Sequence, residues 1–169
     1  MARMDGPLGP VPASATSSED CCFAWKAASF DTGRVTQDPV DVIRNGTAAY
    51  SRGDLDAFLE NWALDAVVDW SNSHGFDAGV YQGQTEIRAF IERFRGAFEA
   101  IEIELIGDPV EVRDGLWLAE NLAHLRGRDG IEVQARSAWL ITFRDAKQTS
   151  LTLYQTKKDA LEAAELHPS

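Results

Sequence analysis

Cysteine is almost absent from this chain: there are two, adjacent, at Cys21-Cys22. Linking neighbours closes almost no loop, so disulfides are excluded as a source of stability. With three histidines, no spacing resembles a zinc site, and no metal is expected. Basic residues are scarce as well, 16 against 27 acidic ones, for a net charge of −11. Phosphate binding needs clustered Lys and Arg, and none cluster here, so nucleic acid and anionic membrane surfaces are not expected partners. No apolar run approaches the roughly 20 residues of a membrane span. The N-terminus has no continuous apolar stretch of the kind that directs secretion, so a cytoplasmic location is expected.

The composition, 44% hydrophobic and 25% charged over 169 residues, is that of one ordinary globular domain with a tail. Residues 1–37 hold Gly6, Pro7, Gly9, Pro10 and Pro12, then the run Ser14 to Ser18. Such a segment buries too little to offset its ordering entropy and is expected to be a disordered tail. Its apolar island, Cys22-Phe23-Ala24-Trp25, is a sticky stretch that could dock on the domain or on a partner.

The most informative stretch is Leu116 to Thr156, which reads as three antiparallel strands. Leu116–Arg128 and Ile131–Arg144 flank Asp129-Gly130, a dipeptide suited to a two-residue hairpin turn. A second reversal at Asp145-Ala146 sends Lys147–Thr156 back. Two such turns place His124 opposite Ala135, Leu122 opposite Ser137, Glu120 opposite Trp139, and Ser137 opposite Tyr154. Because side chains alternate between faces, one surface then carries Leu118, Glu120, Leu122, His124, Ala135, Ser137, Trp139, Ile141, Thr152 and Tyr154. The other carries Trp117, Ala119, Asn121, Ala123, Arg136, Ala138, Leu140, Leu151 and Leu153. Both surfaces are too apolar to face water entirely. The first has the make-up of a small-molecule pocket, apolar with a few polar groups. The second, with Trp117, Leu140, Leu151 and Leu153, is expected to bury itself in a homodimer.

Upstream, Asp38-Pro39 is a helix start, with Val40, Ile43, Thr47 and Tyr50 on one face and Gly53 as the stop. Asn45-Gly46 is a turn signal inside that pattern. Asp54 caps a second helix with Leu55, Phe58, Leu59 and Trp62 facing inward. Ala66–Ser71 reads as a strand, and Asn72–Gly83 as a glycine-rich loop. Ile87, Phe90, Ile91, Phe94 and Phe98 mark the longest helix, over about residues 85–99. Glu102–Ile106 is a strand closed by Gly107-Asp108-Pro109, and Thr156-Lys157-Lys158-Asp159 is a capping box opening a last short helix.

This order resembles the nuclear-transport-factor-2-like superfamily, in its SnoaL-like branch. The residues carrying the likeness are Arg52-Gly53-Asp54 with Trp62, Val67-Val68-Asp69-Trp70, and Gly79-Val80-Tyr81-Gln82-Gly83. Gly127 to Val133, Thr142-Phe143-Arg144-Asp145, Tyr154 and the closing Asp159 to Leu166 continue it over about residues 38–166. Ala146 and Glu165 stand where the family usually has Gly, and Thr156 where many relatives carry an acidic residue or Asn. The resemblance implies an α+β fold, a curved antiparallel sheet wrapped around three N-terminal helices to form a conical pocket (a cystatin-like α+β barrel). It implies no metal or organic cofactor. Its members include ketosteroid isomerases, scytalone dehydratases, polyketide cyclases and limonene epoxide hydrolases, and others only bind a ligand or a partner.

The enzymes among them place a carboxylate or His as base beside Tyr, Trp or Asn donors, so catalytic candidates here are His124, Asp69 and Tyr154. His124 is alternatively a hydrogen-bonded sheet residue, and Asp69 a solvated strand-end carboxylate. Glu120, Trp139, Tyr50, Tyr81, Trp70 and Ser137 are candidates for substrate contact. The three tyrosines read equally as packing residues with satisfied hydroxyls. Glu120 lies four residues from His124, ~13 Å along a strand, too far for a direct hydrogen bond. His74, in the glycine-rich loop, is a candidate lid residue or simply solvated. Two functions stand side by side: acid–base chemistry on a mostly apolar metabolite, of the isomerase, cyclase, dehydratase or hydrolase kind, and a non-catalytic binding or dimerisation module with a self-filled cavity.

Overall fold

The computed structural model describes residues 37–75 and 77–166; nearly all of the expected tail, with its apolar island, lies outside them. Helix α1 (Pro39–Arg52) begins where Asp38 Oδ1 accepts from the Val40 N–H at 2.9 Å. It stops at Gly53, whose φ of 79° is the left-handed conformation that glycine adopts without strain. Asn45-Gly46 does not turn; Gly46 is buried in α1 against Phe58, and packing overrides the local signal. Helix α2 (Leu55–Glu60) is capped by Asp54, which accepts from the Ala57 N–H at 3.1 Å. Trp62, expected on that helix, instead opens strand β1 (Trp62–Asp69). There follow β2 (Val80–Gln82), α3 (Gly83–Gly96), β3 (Ala100–Leu105), β4 (Val110–Arg113), β5 (Leu116–Arg126), β6 (Glu132–Arg144), β7 (Lys147–Tyr154) and α4 (Lys157–Leu166). In the last cap Asp159 N donates to Thr156 Oγ1 at 3.1 Å, as a capping box requires.

The strands form one curved, unclosed sheet in the order β2-β1-β7-β6-β5-β3, with β4 also paired to β5. β1 runs parallel to β7, which departs from the wholly antiparallel sheet expected; the long connection through α3 supplies the crossover a parallel pair needs. All other pairs are antiparallel.

The pairing of β5 with β6 differs by one residue from the expected one. Asn121 opposes Ser137, Ala119 opposes Trp139, and His124 opposes Gln134. The turn is the cause. Gly127 N donates to Ile131 O at 2.8 Å and Gly130 N to Gly127 O at 3.0 Å, enclosing Arg128-Asp129-Gly130. This is a three-residue loop with Gly130 at φ 80°, the bulge-type alternative to a two-residue turn. The second turn is two residues, as expected, with Asp145 at φ 53° and Ala146 at φ 61°. A bulge between Thr142 and Phe143 then shifts that ladder by one, so Trp139 faces Leu153 and Tyr154 faces Ala138.

A one-residue slip exchanges the faces of a strand. The concave face therefore carries Trp117, Ala119, Asn121 and Ala123 together with Ser137, Trp139 and Ile141, and Leu151 and Leu153. Of these, Ala119, Trp139, Ile141, Leu151 and Leu153 pack with Ile43, Leu59, Phe90 and Ile91 of the helices into the main core, with Trp117 against it. The convex face carries a smaller cluster, Leu116, Leu118, Ala138 and Leu140, covered by Ala160 and Ala164 of α4. Of the residues that motivated a dimer, Trp117, Leu151 and Leu153 are thus part of the main core, and Leu140 lies under α4.

Candidate functional site

Between the concave face and helices α1 and α3 the core leaves a cavity of about 340 Å³. That lies within the range of small-ligand pockets. Helix α1 contributes Ile43, Gly46, Thr47 and Tyr50, and α3 contributes Phe90, Ile91 and Phe94. The sheet contributes Asn121, Ala123, Ser137, Trp139, Ile141, Gln148, Leu151 and Leu153. Trp70, Ser73, His74 and Gly75, just after β1, line it as well, with Phe98, Leu125, Val133 and Gln155. Among the described residues no Asp or Glu lines the cavity.

Polar groups inside it are few. Ser137 Oγ donates to Asn121 Oδ1 at 2.9 Å, and Thr47 Oγ1 donates to Ile43 O at 2.8 Å within α1. Asn121 is 1% exposed. The Nδ2 of Asn121, the Nε2 of Gln148 and the indole Nε1 of Trp70 and Trp139 are buried without a partner. Tyr50 packs edge-on against Phe58, with the Arg95 guanidinium 5.1 Å from its ring centre. Burial pushes its phenol up to about 12, against the opposing pull of Arg95. Arg95 also donates to the Tyr50 carbonyl oxygen near the end of α1, so one side chain braces both the helix and the ring.

Tyr50, Trp70, Ser137 and Trp139 of the sequence candidates come together at the cavity. His124, Asp69, Tyr154, Glu120 and Tyr81 do not line it. The register explains three of these: Glu120, His124 and Tyr154 lie on the convex side. There His124 Nδ1 is 3.3 Å from Gln134 Nε2, and its Nε2 is 3.8 Å from Glu104. Glu120 pairs with Lys157 of α4 at 2.5 Å. Asp69 accepts from the Ser71 N–H at 2.9 Å and from the Ser71 hydroxyl. Tyr154 borders a second, polar depression with Ser71, Asn72, Ser73, His74, Gln155 and Asp159. Burial there, and the charge of Asp69, raise the Tyr154 phenol above its ordinary value. Tyr81 stacks on Phe90 with ring centres 4.1 Å apart and donates its hydroxyl to Asp77 O at 2.7 Å.

Asn121, Gln148 and Thr47, with Ser73, Arg136 and Gln155, are polar cavity residues that were not among the sequence candidates; Arg136 was expected on the other face. Asn121 had a signal: it is the one amide in the alternation Trp117, Ala119, Asn121, Ala123, where an apolar residue would continue the pattern. Among the described residues no group of three or more His, Cys, Asp or Glu could hold a metal ion, and no helix is long and apolar enough to cross a membrane.

A curved sheet closed over by helices, with a hollow between them, is the nuclear-transport-factor-2-like architecture, and solved structures of that class superpose on this one. TerC co-crystallised with polyporic acid is 15% identical, covering 75% of this chain and 97% of its own, with a TM-score of 0.60. The Delta 5-3-ketosteroid isomerase from Mycobacterium sp. is 16% identical, covering 70% and 93%, at 0.60. A putative polyketide cyclase from Xanthomonas campestris pv. campestris is 19% identical, covering 72% and 93%, at 0.56. At these identities the likeness is one of fold. The sequence itself matches the SnoaL-like domain over residues 43–151, more than half of the chain, and the protein belongs to that family. No curated protein matches it.

Proposed function

We propose that this protein binds a mostly apolar small molecule in the cavity between its helices and its sheet, in contact with Tyr50, Trp70, Asn121, Ser137 and Trp139. The observation that carries the reading is a 340 Å³ hollow with predominantly apolar walls at residues that a self-filled core would have closed. Structures of similar fold include a complex with polyporic acid, a ketosteroid isomerase and a putative polyketide cyclase, which supports a ligand of this kind and isomerase- or cyclase-type chemistry. Among the described residues, Tyr50 and His74 are the cavity side chains suited to handle a proton. Tyr50, with its phenol held up to about 12, stays protonated at neutral pH and donates to a ligand oxygen. His74, exposed in the loop after β1, can take or give a proton. In this reading His124, Asp69, Tyr154, Glu120 and Tyr81 lie outside the contact set.

The second reading, binding without catalysis, is favoured by one observation: among the described residues no carboxylate lines the cavity to serve as the usual Asp or Glu base for proton abstraction. Thermal-shift and native-mass screens against hydrophobic metabolites test both. Saturable binding should be lost in Ala123→Trp, which fills the hollow, and kept in His124→Ala and Asp69→Asn. Binding that survives Ala123→Trp but is lost in His124→Ala refutes the site. Turnover of a bound ligand that falls in His74→Ala selects the enzyme over the binding module.

A further inference from the structure

We infer that the free edge of β6 pairs with the same edge of a second copy of this chain, making a two-fold dimer with one sheet running through both. The inference does not depend on what the cavity holds. In the β5–β6 hairpin Gly127 N donates to Ile131 O. Hydrogen-bonded pairs recur at every second residue of an antiparallel ladder, so Leu125–Val133, Ala123–Ala135 and Asn121–Ser137 are the bonded ones. The N–H and C=O groups of Glu132, Gln134 and Arg136 therefore point away from β5. On that side β7 ends at Tyr154, opposite Ala138, and among the described residues no backbone partner takes them. Residues 131–136 are all exposed, the apolar Ile131 and Val133 among them. The two ends of the sheet offer less: β2 has three residues, and β3 gives its outward Ile103 N–H to Ser51 Oγ at 3.0 Å.

The sequence of this edge selects a second copy as its partner. Laid antiparallel on itself about Gln134, the strand sets Gln134 against the partner's Gln134, and Glu132 against the partner's Arg136 in both directions. Every outward N–H then meets an outward C=O. Centring the pair on Val133 or Ala135 instead sets Arg136 or Glu132 opposite a residue outside the free edge. Neither Glu132 nor Arg136 has an ion-pair partner among the described residues. Directly opposed side chains share a face, so the two charges pair twice across the axis. On the other face Val133 meets the partner's Ala135, and Ile131 meets the partner's Ser137. That covers the apolar side chains that make an exposed edge strand a liability. The stretch holds no Pro, no Lys and no bulge, the usual devices that keep an edge unpaired. Val133 and Ala135 also line the cavity, so the second copy lands at the rim of the hollow. A contact one short strand long is at the small end of protein interfaces, so the dimer dissociates at micromolar concentrations.

Sedimentation equilibrium of the full chain, from micromolar to millimolar concentration, tests it. The wild type should pass from monomer to dimer. Glu132→Arg and Arg136→Glu each set like charges opposite one another twice, and each should weaken the dimer about tenfold. The double variant, Glu132→Arg with Arg136→Glu, restores both pairs and should recover the wild-type affinity to within about threefold. In the wild type, with no variant needed, a mixture of labelled and unlabelled chains should show an intermolecular Overhauser contact between Val133 Hα and Ala135 Hα, which face each other closely in a non-bonded pair. A chain that stays monomeric at millimolar concentration overturns the inference. So does a dimer indifferent to both charge reversals, which must use another surface, and so does a double variant no tighter than the single ones.

Discussion

Replacing Asn121 by leucine should stabilise the protein while weakening its ligand binding. The side chain is 1% exposed at the centre of β5, with Nδ2 unpaired and Oδ1 accepting from Ser137 at 2.9 Å. Leucine has the same branched set of four side-chain heavy atoms and is larger only by its methyl hydrogens, for which the adjoining cavity leaves room. The variant loses one hydrogen bond, about 1 kcal/mol; the half-buried Ser137 hydroxyl keeps its freedom to turn. It is relieved of a buried, unpaired N–H, which costs about 1–3 kcal/mol, and gains a buried apolar side chain, worth about 1.5–3 kcal/mol. The balance is a net gain of roughly 1.5–5 kcal/mol. Urea unfolding should show a higher midpoint at unchanged slope, and Tm should rise by several degrees. A function-related residue that holds stability down is the usual trade at binding sites. A variant destabilised by more than about 1 kcal/mol would show that the amide is paired in solution, and the account of Asn121 as a buried, half-paired amide would be wrong.

Ala146 holds φ 61° in the second hairpin turn, where a side chain is strained. Ala146→Gly should therefore stabilise by about 1 kcal/mol, read by urea unfolding, and a loss of stability would contradict the left-handed turn. Tyr50 should ionise near 12 rather than 10, followed by phenolate absorbance with Tyr50→Phe as reference. The folded state then holds its proton where the unfolded chain has lost it. Between pH 10 and 12 stability should accordingly fall as pH rises, by roughly 2–3 kcal/mol in all, and a normal titration of this phenol would refute its burial. The cavity-filling Ala123→Trp and the outward His124→Ala form the opposing pair already described for ligand binding.

Much of the fold was legible because its signals are local. Asp38-Pro39, Gly53, Asp54 and the Thr156 capping box mark helix ends through side chains that satisfy the neighbouring backbone, and the structure uses each of them. The site was less legible because it hangs on parity. Gly127 and Gly130 allow a three-residue loop where Asp129-Gly130 alone suggests two, and Gly130 at φ 80° selects it. That single residue moves His124 and Glu120 to the convex side with Tyr154, and leaves Trp139 and Ser137 facing the helices with Asn121 for company. The bulge after Thr142 leaves no local mark: Thr142 Oγ1 bonds both Thr149 Oγ1 at 2.8 Å and Ser150 Oγ at 2.6 Å, a pairing visible only once the strands are adjacent. The register also moves the residues behind the homodimer expectation: Trp117, Leu151 and Leu153 pack at the main core and Leu140 under α4.

The central claim is that the β5–β6 pairing turns Trp139, Ser137 and Asn121 toward the hollow and His124 away from it. Cross-strand Hα–Hα Overhauser contacts measure that pairing directly. They should connect directly opposed residues of the set Ala119–Trp139, Asn121–Ser137 and Ala123–Ala135, or of the alternating set Glu120–Ala138 and Leu122–Arg136. Contacts joining Glu120 to Trp139 and Leu122 to Ser137 would instead place the imidazole inside and contradict the site.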